Sequence, residues 1–194
     1  MTTVLAFDLS MTRTGWALGS SDGTPPKWGV FETSDWPKNQ GRELFAFRQL
    51  LDSFTRQHLI DLICVEHVFV DANPMKFQFN GTEGQMMLKG VLEEFAYSKD
   101  IRCASVAVAD WRQYFLGLNR RPKEAKGDEK YWKDLALRVA AQRNWYCTWH
   151  DEAEALGIMD YALFETDKNY RQKMIGTRNR IEHDHDLKRG AFAE

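Results

Sequence analysis

Two acidic residues follow apolar runs that are typical of buried strands. Asp8 comes directly after Val4 to Phe7, and Glu66 comes directly after Leu62 to Val65. A carboxylate next to a core strand costs free energy unless it is paired or binds a cation. A turn-forming role for Asp8 and an ion pair with an arginine for Glu66 are the alternatives. The two positions are therefore the first candidates for a site that binds a cation.

A second acidic pair opens the last predicted helix, in the segment DEAEALGIMDYAL. Asp151 and Glu154 are three residues apart, which places both carboxylates on one helix face. Acidic residues in a first helical turn are also favoured by the helix dipole, so this pair alone is weak evidence of a site. Glu152 is the competing candidate for the role of Glu154.

The four carboxylates Asp8, Glu66, Asp151 and Glu154 would suit hard cations such as Mg²⁺ or Mn²⁺ better than zinc. Two such ions about 4 Å apart activate a water and stabilise the leaving oxygen of a phosphodiester. We therefore expect phosphodiester hydrolysis with two metal ions per site and no other cofactor. Cys147 and His150 offer only half of a zinc site, so no zinc is predicted.

The elements that must position these acids follow a mixed α/β order. Three antiparallel strands come first, and predicted helices and strands alternate after them. The strands are Val4 to Phe7, Gly15 to Leu18, Trp28 to Phe31, Leu62 to Val65 and Cys103 to Val108. The helices are Arg42 to Leu59, Thr82 to Lys99, Glu129 to Asn144 and Asp151 to Phe164, with a short amphipathic turn at Trp111 to Leu116. This order predicts one α/β domain with helices on both faces of a single sheet.

Length and composition limit the remaining possibilities. The chain has 194 residues, which favours one domain, here residues 1–166, followed by a charged tail or extra helix at 167–194. No apolar stretch is long enough to cross a membrane and no signal peptide is recognisable, so a cytoplasmic protein is expected. The three cysteines are expected to be reduced, with Cys64 and Cys103 in the core. The net charge of −2 means that any nucleic-acid contact must be local.

Three motifs carry a resemblance to a known family. LAFDLSMTRTGWAL, ICVEHVFV and HDEAEALGIMDYAL resemble, in order and spacing, the acidic motifs of RuvC-type Holliday-junction resolvases. The resemblance extends from Thr3 to Leu163, with Glu154 in place of the family's last aspartate. A longer spacing before the last motif and the polar tail suggest a phage or prophage member of the family.

The resemblance implies an RNase H-like fold built on a five-stranded mixed sheet, and a metal-dependent endonuclease of recombination and repair. It also implies a homodimer that binds four-way or other branched DNA and nicks two strands. Phe69 matches the family's junction-probing aromatic, although a core position is equally compatible with the alternation of the strand. The family's basic loop and helix match loosely at Arg120, Arg121, Lys123, Lys126 and Lys130, which would contact phosphates.

Two other functions fit parts of the sequence. The start of the chain also resembles the phosphate-binding turn of actin-like ATPases and sugar kinases, but those proteins need a second, duplicated domain. A non-catalytic DNA-binding module with the same fold is the other alternative. The presence of a carboxylate at all four acidic positions argues against such a loss of chemistry.

Overall fold

A five-stranded mixed sheet forms the centre of the protein. The computed structural model describes residues 1–33, 39–67 and 79–176, and of residues 79–82 it describes the backbone alone. The strands lie in the order β3-β2-β1-β4-β5. Their bounds are β1 (Thr3–Asp8), β2 (Arg13–Ser20), β3 (Lys27–Glu32), β4 (Leu62–Glu66) and β5 (Arg102–Val106).

The pairing of the strands brings the first two acids to one edge of the sheet. β1 pairs antiparallel with β2, with Asp8 opposite Gly15. β1 also pairs in parallel with β4, with Phe7 opposite Val65. Asp8 follows Phe7 and Glu66 follows Val65. The carboxyl ends of parallel strands lie at the same edge of the sheet. Asp8 and Glu66 therefore end neighbouring strands at the same edge.

Helices cover both faces of the sheet because side chains alternate along each strand. Val4 and Ala6 point into one core, and Leu5 and Phe7 point into the other. The first core is covered by α3 (Val108–Leu116), α4 (Tyr131–Gln142) and α5 (His150–Thr166), and the second by α1 (Gln40–Gln57) and α2 (Phe79–Ser98). The predicted fold class, a five-stranded mixed sheet with helices on both faces, is confirmed.

The region around β5 differs from the prediction. The strand was expected to reach Val108, but it ends at Val106 and α3 begins at Val108. Apolar residues continue through this boundary, so the sequence pattern shows no break between strand and helix. β5 is also an edge strand, and Cys103, predicted to lie in the core, is exposed there.

The chain continues as a second helix after α5, over residues 168–176. The hydroxyl of Tyr170 donates a hydrogen bond to the fully buried carboxylate of Asp160, which also pairs with Arg143. Arg171 Nε donates to the carbonyl oxygen of Phe164 at 2.8 Å. This part of the predicted tail is therefore fixed to α5 by polar contacts. Among the described helices, none is long and apolar enough to cross a membrane.

Candidate active site

The turn after β1 is held by Thr14, which is fully buried. Its hydroxyl donates to the carbonyl oxygen of Ser10 at 2.7 Å and accepts from the Ser10 amide at 3.1 Å. From the other side, Gln85 Nε2 of α2 donates to the carbonyl oxygen of Leu9 at 2.9 Å. These contacts fix the backbone immediately after Asp8 and so fix the direction of its carboxylate.

Gly15 allows α5 to approach the sheet closely. A Cβ atom at this position would lie 2.0 Å from the carbonyl oxygen of Asp151, a distance that only a glycine permits. Because Gly15 is also the partner of Asp8 across the β1–β2 ladder, the close approach puts the start of α5 beside Asp8. Gly15 is thus required for the backbone of α5 to pack directly on the backbone of β2.

Glu66 is oriented by α3. Trp111 is fully buried, and its indole Nε1 donates to Glu66 Oε2 at 3.0 Å. The next residue, Arg112, packs its guanidinium 4.8 Å from the ring centre of Trp132, and its nearer nitrogen lies 3.9 Å from Glu154 Oε1. The same helix therefore presents an indole donor and a cation to the group of acids.

The acids perturb one another, as crowded carboxylates do. Burial and the negative charges of Glu154, Glu66 and Asp151 hold the pKa of Asp8 well above its usual range. Burial and Glu66 raise the pKa of Glu154 to about 7, against the opposing effect of Arg112. Burial also raises the pKa of Glu66, although its hydrogen bond from Trp111 opposes the shift. The structure thus brings Glu66, Asp151 and Glu154 close enough to Asp8 for their charges to act on it.

Glu152, the competing candidate, makes different contacts from the four predicted site acids. Its Oε2 accepts the backbone amides of Thr148 at 2.7 Å and Trp149 at 3.0 Å, which caps the first turn of α5. Asp151, by contrast, is 8% exposed, and its Oδ2 is buried without a hydrogen-bond partner. A buried carboxylate oxygen without a partner is unusual in a folded protein. This oxygen is the one best placed to receive a cation.

His150 borders the same group of acids. Its Nδ1 lies 3.1 Å from Asp151 Oδ1 and 4.0 Å from Glu154 Oε2. That nitrogen is also buried without a hydrogen-bond partner. Burial lowers the pKa of His150, and the cations of Lys133 and Arg13 act in the same direction, against the charge of Asp151.

The side chains do not form a closed metal site as they stand. In residues 1–33, 39–67 and 79–176, no three histidine, cysteine or acidic side chains are arranged to hold one ion. The carboxyl groups of Asp8 and Glu154 share a hydrogen bond, which requires a proton on one of them. Binding of an ion would therefore displace this proton.

The predicted basic residues lie in the segment between α3 and α4. Arg120, Lys126 and Lys130 are exposed and Arg121 is half-buried. None of these four forms an ion pair with a side chain in the described part of the chain. The loop leads into α4, whose Trp132 stacks on Arg112 beside Glu154. Phe69, the other predicted DNA contact, lies outside the described residues.

The sequence prediction did not include Trp111, Arg112 or His150 as site residues. Trp111 was assigned only to an amphipathic turn, and nothing in its local pattern indicates a contact with Glu66. His150 was considered only as half of a zinc site with Cys147. Its position directly before Asp151 was the one signal that could have identified it.

Comparison with known proteins gives a match in structure but not in sequence. No family model matches the chain, and no curated protein matches it significantly. RuvC of Thermus thermophilus in complex with a Holliday-junction substrate has a TM-score of 0.59 at 10% identity, covering 82% of this chain and 90% of RuvC. Another T. thermophilus RuvC structure gives a TM-score of 0.58 at 15% identity, covering 81% of this chain and 91% of that one.

A mitochondrial enzyme has the same fold. Ydc2, the yeast mitochondrial Holliday-junction resolvase, has a TM-score of 0.57 at 12% identity, covering 94% of this chain and 84% of Ydc2. The resemblance to RuvC-type resolvases that the acidic motifs predicted is confirmed for the fold, which is that of RNase H-like resolvases over most of the chain.

Proposed function

We propose that this protein is a metal-dependent endonuclease that cleaves four-way or other branched DNA. The observation that carries the proposal is the position of Asp8, Glu66, Asp151 and Glu154 at one edge of a RuvC-like sheet. Two acids come from the ends of neighbouring strands, and two, Asp151 and Glu154, come from the N-terminal part of α5. Fold similarity alone does not determine function, so the chemistry of this group has to support it.

The residues present fit a divalent cation. The donor set is all oxygen apart from His150, and oxygen ligands suit Mg²⁺ and Mn²⁺. Asp151 Oδ2 is a buried acceptor without a partner, and burial together with a local excess of negative charge raises the pKa values of Asp8 and Glu154. A cation would give Asp151 Oδ2 a partner and would neutralise the excess negative charge around Asp8 and Glu154. Glu152 already uses its Oε2 to cap α5, which supports Glu154 as the fourth acid of the site.

The proposed reaction is hydrolysis of a phosphodiester bond. Two divalent ions, when bound, supply the charge that lowers the pKa of the attacking water and stabilises the leaving 3'-oxygen. Asp8 and Glu66 hold the site from the sheet, and Asp151 and Glu154 hold it from the helix. Trp111 fixes the orientation of Glu66 through its indole hydrogen bond. Protons released by Asp8 and Glu154 on binding leave to solvent.

The DNA contacts are part of the proposal. Arg120, Arg121, Lys126 and Lys130 would contact backbone phosphates, and Phe69 would stack on an unpaired base at the junction. Because RuvC has been solved with a Holliday junction, four-way DNA is the first substrate to test. We assign the nuclease domain to residues 1–166 and propose a homodimer, whose two sites would nick two strands symmetrically.

A cleavage assay tests the proposal. The full chain is incubated with a labelled four-way junction, a fork, a flap and linear duplex, with Mg²⁺ or Mn²⁺. We expect nicking of the branched substrates and little cleavage of the duplex. Asp8→Asn should abolish cleavage while junction binding in Ca²⁺ persists, because the acid serves the metal and not DNA affinity. The matched control is Asp22→Asn, an exposed acid in the turn at the far end of β2.

The assay also separates the alternatives. Junction binding without any nick by the unchanged protein would identify a non-catalytic DNA-binding module. If the Asp8→Asn variant cleaved as fast as the unchanged protein, the four carboxylates would have no part in the mechanism. Sedimentation of the free protein measures whether it is a dimer.

A further inference from the structure

An exposed tryptophan lies beside the group of acids. Trp149 directly precedes the first residue of α5 and is 40% exposed, although tryptophan is highly buried on average. It is two residues before Asp151 in the chain. Because consecutive Cα atoms are about 3.8 Å apart, the Cα atoms of these two residues are at most about 7.6 Å apart. Trp149 is therefore a direct neighbour of the proposed catalytic site.

One face of the Trp149 indole is already covered. The guanidinium of Arg13 lies 3.8 Å from the centre of the ring, where it interacts favourably with the π electrons. Arg13 belongs to β2, and its Nε donates to Oε1 of Glu32 at 3.1 Å. The ion pair holds the guanidinium, and the guanidinium holds the ring. The indole is thus oriented before a ligand binds, and its exposed area lies at its edges and on its opposite face.

Two cations lie near this tryptophan. Arg13 and Lys133 are both close enough to His150, the next residue along the chain, for their charges to act on it. Lys133 is an exposed residue of α4. A DNA strand that reaches the acids is negatively charged at every phosphate, so these cations favour its passage beside Trp149. Aromatic rings next to cations are typical of surfaces that bind unpaired strands.

We infer that the open face of Trp149 stacks on an unpaired base next to the phosphate that is cleaved, and that Arg13 positions the ring for this contact. The inference rests on the DNA-binding part of the proposed function, to which it adds a second base contact besides the one proposed for Phe69. The nucleotide beside the cut must then be unstacked, which a branch point allows and a continuous duplex does not. Stacking discriminates little between the four bases, because each has a flat π surface.

Photocrosslinking of the full chain tests this contact without cleavage. 5-Iodouracil is placed at single positions along one strand of a four-way junction, and the complex is formed in Ca²⁺ and irradiated. Iodouracil bonds to an aromatic ring on which it stacks. We expect mass spectrometry to find a crosslink to Trp149 at a position next to the phosphate that is cleaved in Mg²⁺.

Two variants control the crosslink. Trp149→Leu should lose it, because leucine keeps the apolar character of the side chain but has no ring. Tyr97→Ala should keep it. Tyr97 is 90% exposed, and it lies near the end of α2 that leads to the start of β5, at the edge of the sheet opposite to Glu66.

Single-turnover cleavage in Mg²⁺ separates stacking on a base from packing within the protein. We expect Trp149→Leu to slow cleavage about ten-fold, within the range for loss of one stacked base. Trp149→Phe keeps a ring and should stay within about three-fold of the unchanged protein. On a junction with an abasic site at the crosslinked position, Trp149→Leu should cause much less additional loss, because no base is left to stack. Circular dichroism checks that both variants fold.

The outcomes are distinct. Junction binding with crosslinks to other residues alone would overturn the inference. An equal loss of rate by Trp149→Leu on intact and abasic junctions, or no loss on either, would also overturn it, because the ring would then not act through a base. A crosslink to Trp149 in a protein that cleaves no branched DNA would support the inference and overturn the proposed nuclease activity. Failure of the unchanged protein to bind the junction would overturn both.

Discussion

Trp111 Nε1 donates a hydrogen bond of 3.0 Å to Glu66 Oε2 from a fully buried indole. The bond joins α3 to the end of β4, and it opposes the rise in the pKa of Glu66 that burial causes. The tryptophan thus stabilises the charged form of an acid that the proposed metal site needs in that form.

Trp111→Phe should therefore weaken metal binding by about ten-fold, the lower end of the effect seen for residues that orient metal ligands. The pKa of Glu66 should rise further, so cleavage should require higher pH. Calorimetric titration with Mn²⁺ at two pH values measures both effects. Trp145→Phe changes another tryptophan of the same core and controls for the change in packing. Unchanged affinity in Trp111→Phe would mean that the indole only fills space.

Stability without metal should depend on pH in a direction set by Glu154. Its pKa is raised from 4.5 to about 7, so the folded state favours the protonated acid. That stabilisation is complete below about pH 4.5 and is lost as pH rises through 7. In EDTA we expect Tm to fall between pH 6 and 8 by several degrees, since 1 kcal/mol corresponds to about 2 to 4 °C at this chain length.

Two comparisons test whether Glu154 causes this pH dependence of Tm. His150, with its lowered pKa, acts in the opposite direction at the acidic end, so the informative quantity is the difference from Glu154→Gln. This variant should lose part of the fall in Tm. Saturating Mg²⁺ should raise Tm more at pH 8 than at pH 6, because it replaces protons. A Tm in EDTA that rises from pH 6 to 8 equally in both proteins would contradict the assignment.

Gly15→Ala should damage both stability and the site. The added Cβ would meet the backbone of Asp151 at 2.0 Å, so α5 must move away from β2. Overpacking of this kind costs about 1 to 3 kcal/mol. Urea denaturation and Mn²⁺ titration measure the two effects. Gly90→Ala is the matched control, because its Cβ would meet nothing within 4 Å and alanine favours a helix by about 1 kcal/mol.

The basic loop should contribute affinity and not chemistry. Replacing Arg120 or Lys126 by alanine should weaken junction binding and reduce the slope of log K against log salt by about 1 for each phosphate that the side chain neutralises. Cleavage at saturating DNA should stay the same. Lys27→Ala, an exposed cation at the opposite end of the sheet from Asp8, should change neither quantity. Binding measured from about 50 to 200 mM salt gives the slope. An equal slope in all variants would mean that the loop does not contact DNA.

The sheet and most helices were predictable from the sequence for a physical reason. Buried strands such as Leu62 to Val65 are continuous apolar runs, and amphipathic helices such as α1 repeat their apolar residues every three or four positions. The start of α3 was not predictable, because the apolar residues Val106 to Val108 run across the boundary between β5 and α3 without a polar break. A boundary inside an apolar segment depends on tertiary packing.

The candidate site was predictable in part. Acids at strand ends are conspicuous because their burial is costly, so Asp8 and Glu66 could be identified from the pattern alone. Trp111 and His150 could not, because an aromatic or a histidine near an apolar segment is common. The significance of Trp111 depends on which acid it meets, and that hydrogen bond joins elements that are distant in sequence. His150 is next to Asp151 in the chain, but only the folded structure shows its Nδ1 buried and directed at the acids.

The close packing of α5 on β1 and β2 has a consequence for the order of events during synthesis. Asp8 and Glu66 are made early, but Asp151 and Glu154 reach them only after α5 has left the ribosome and docked at Gly15. A nascent or truncated chain that ends before α5 holds only half of the acids. The proposed activity would therefore be confined to the completed fold, and incomplete chains would not damage DNA.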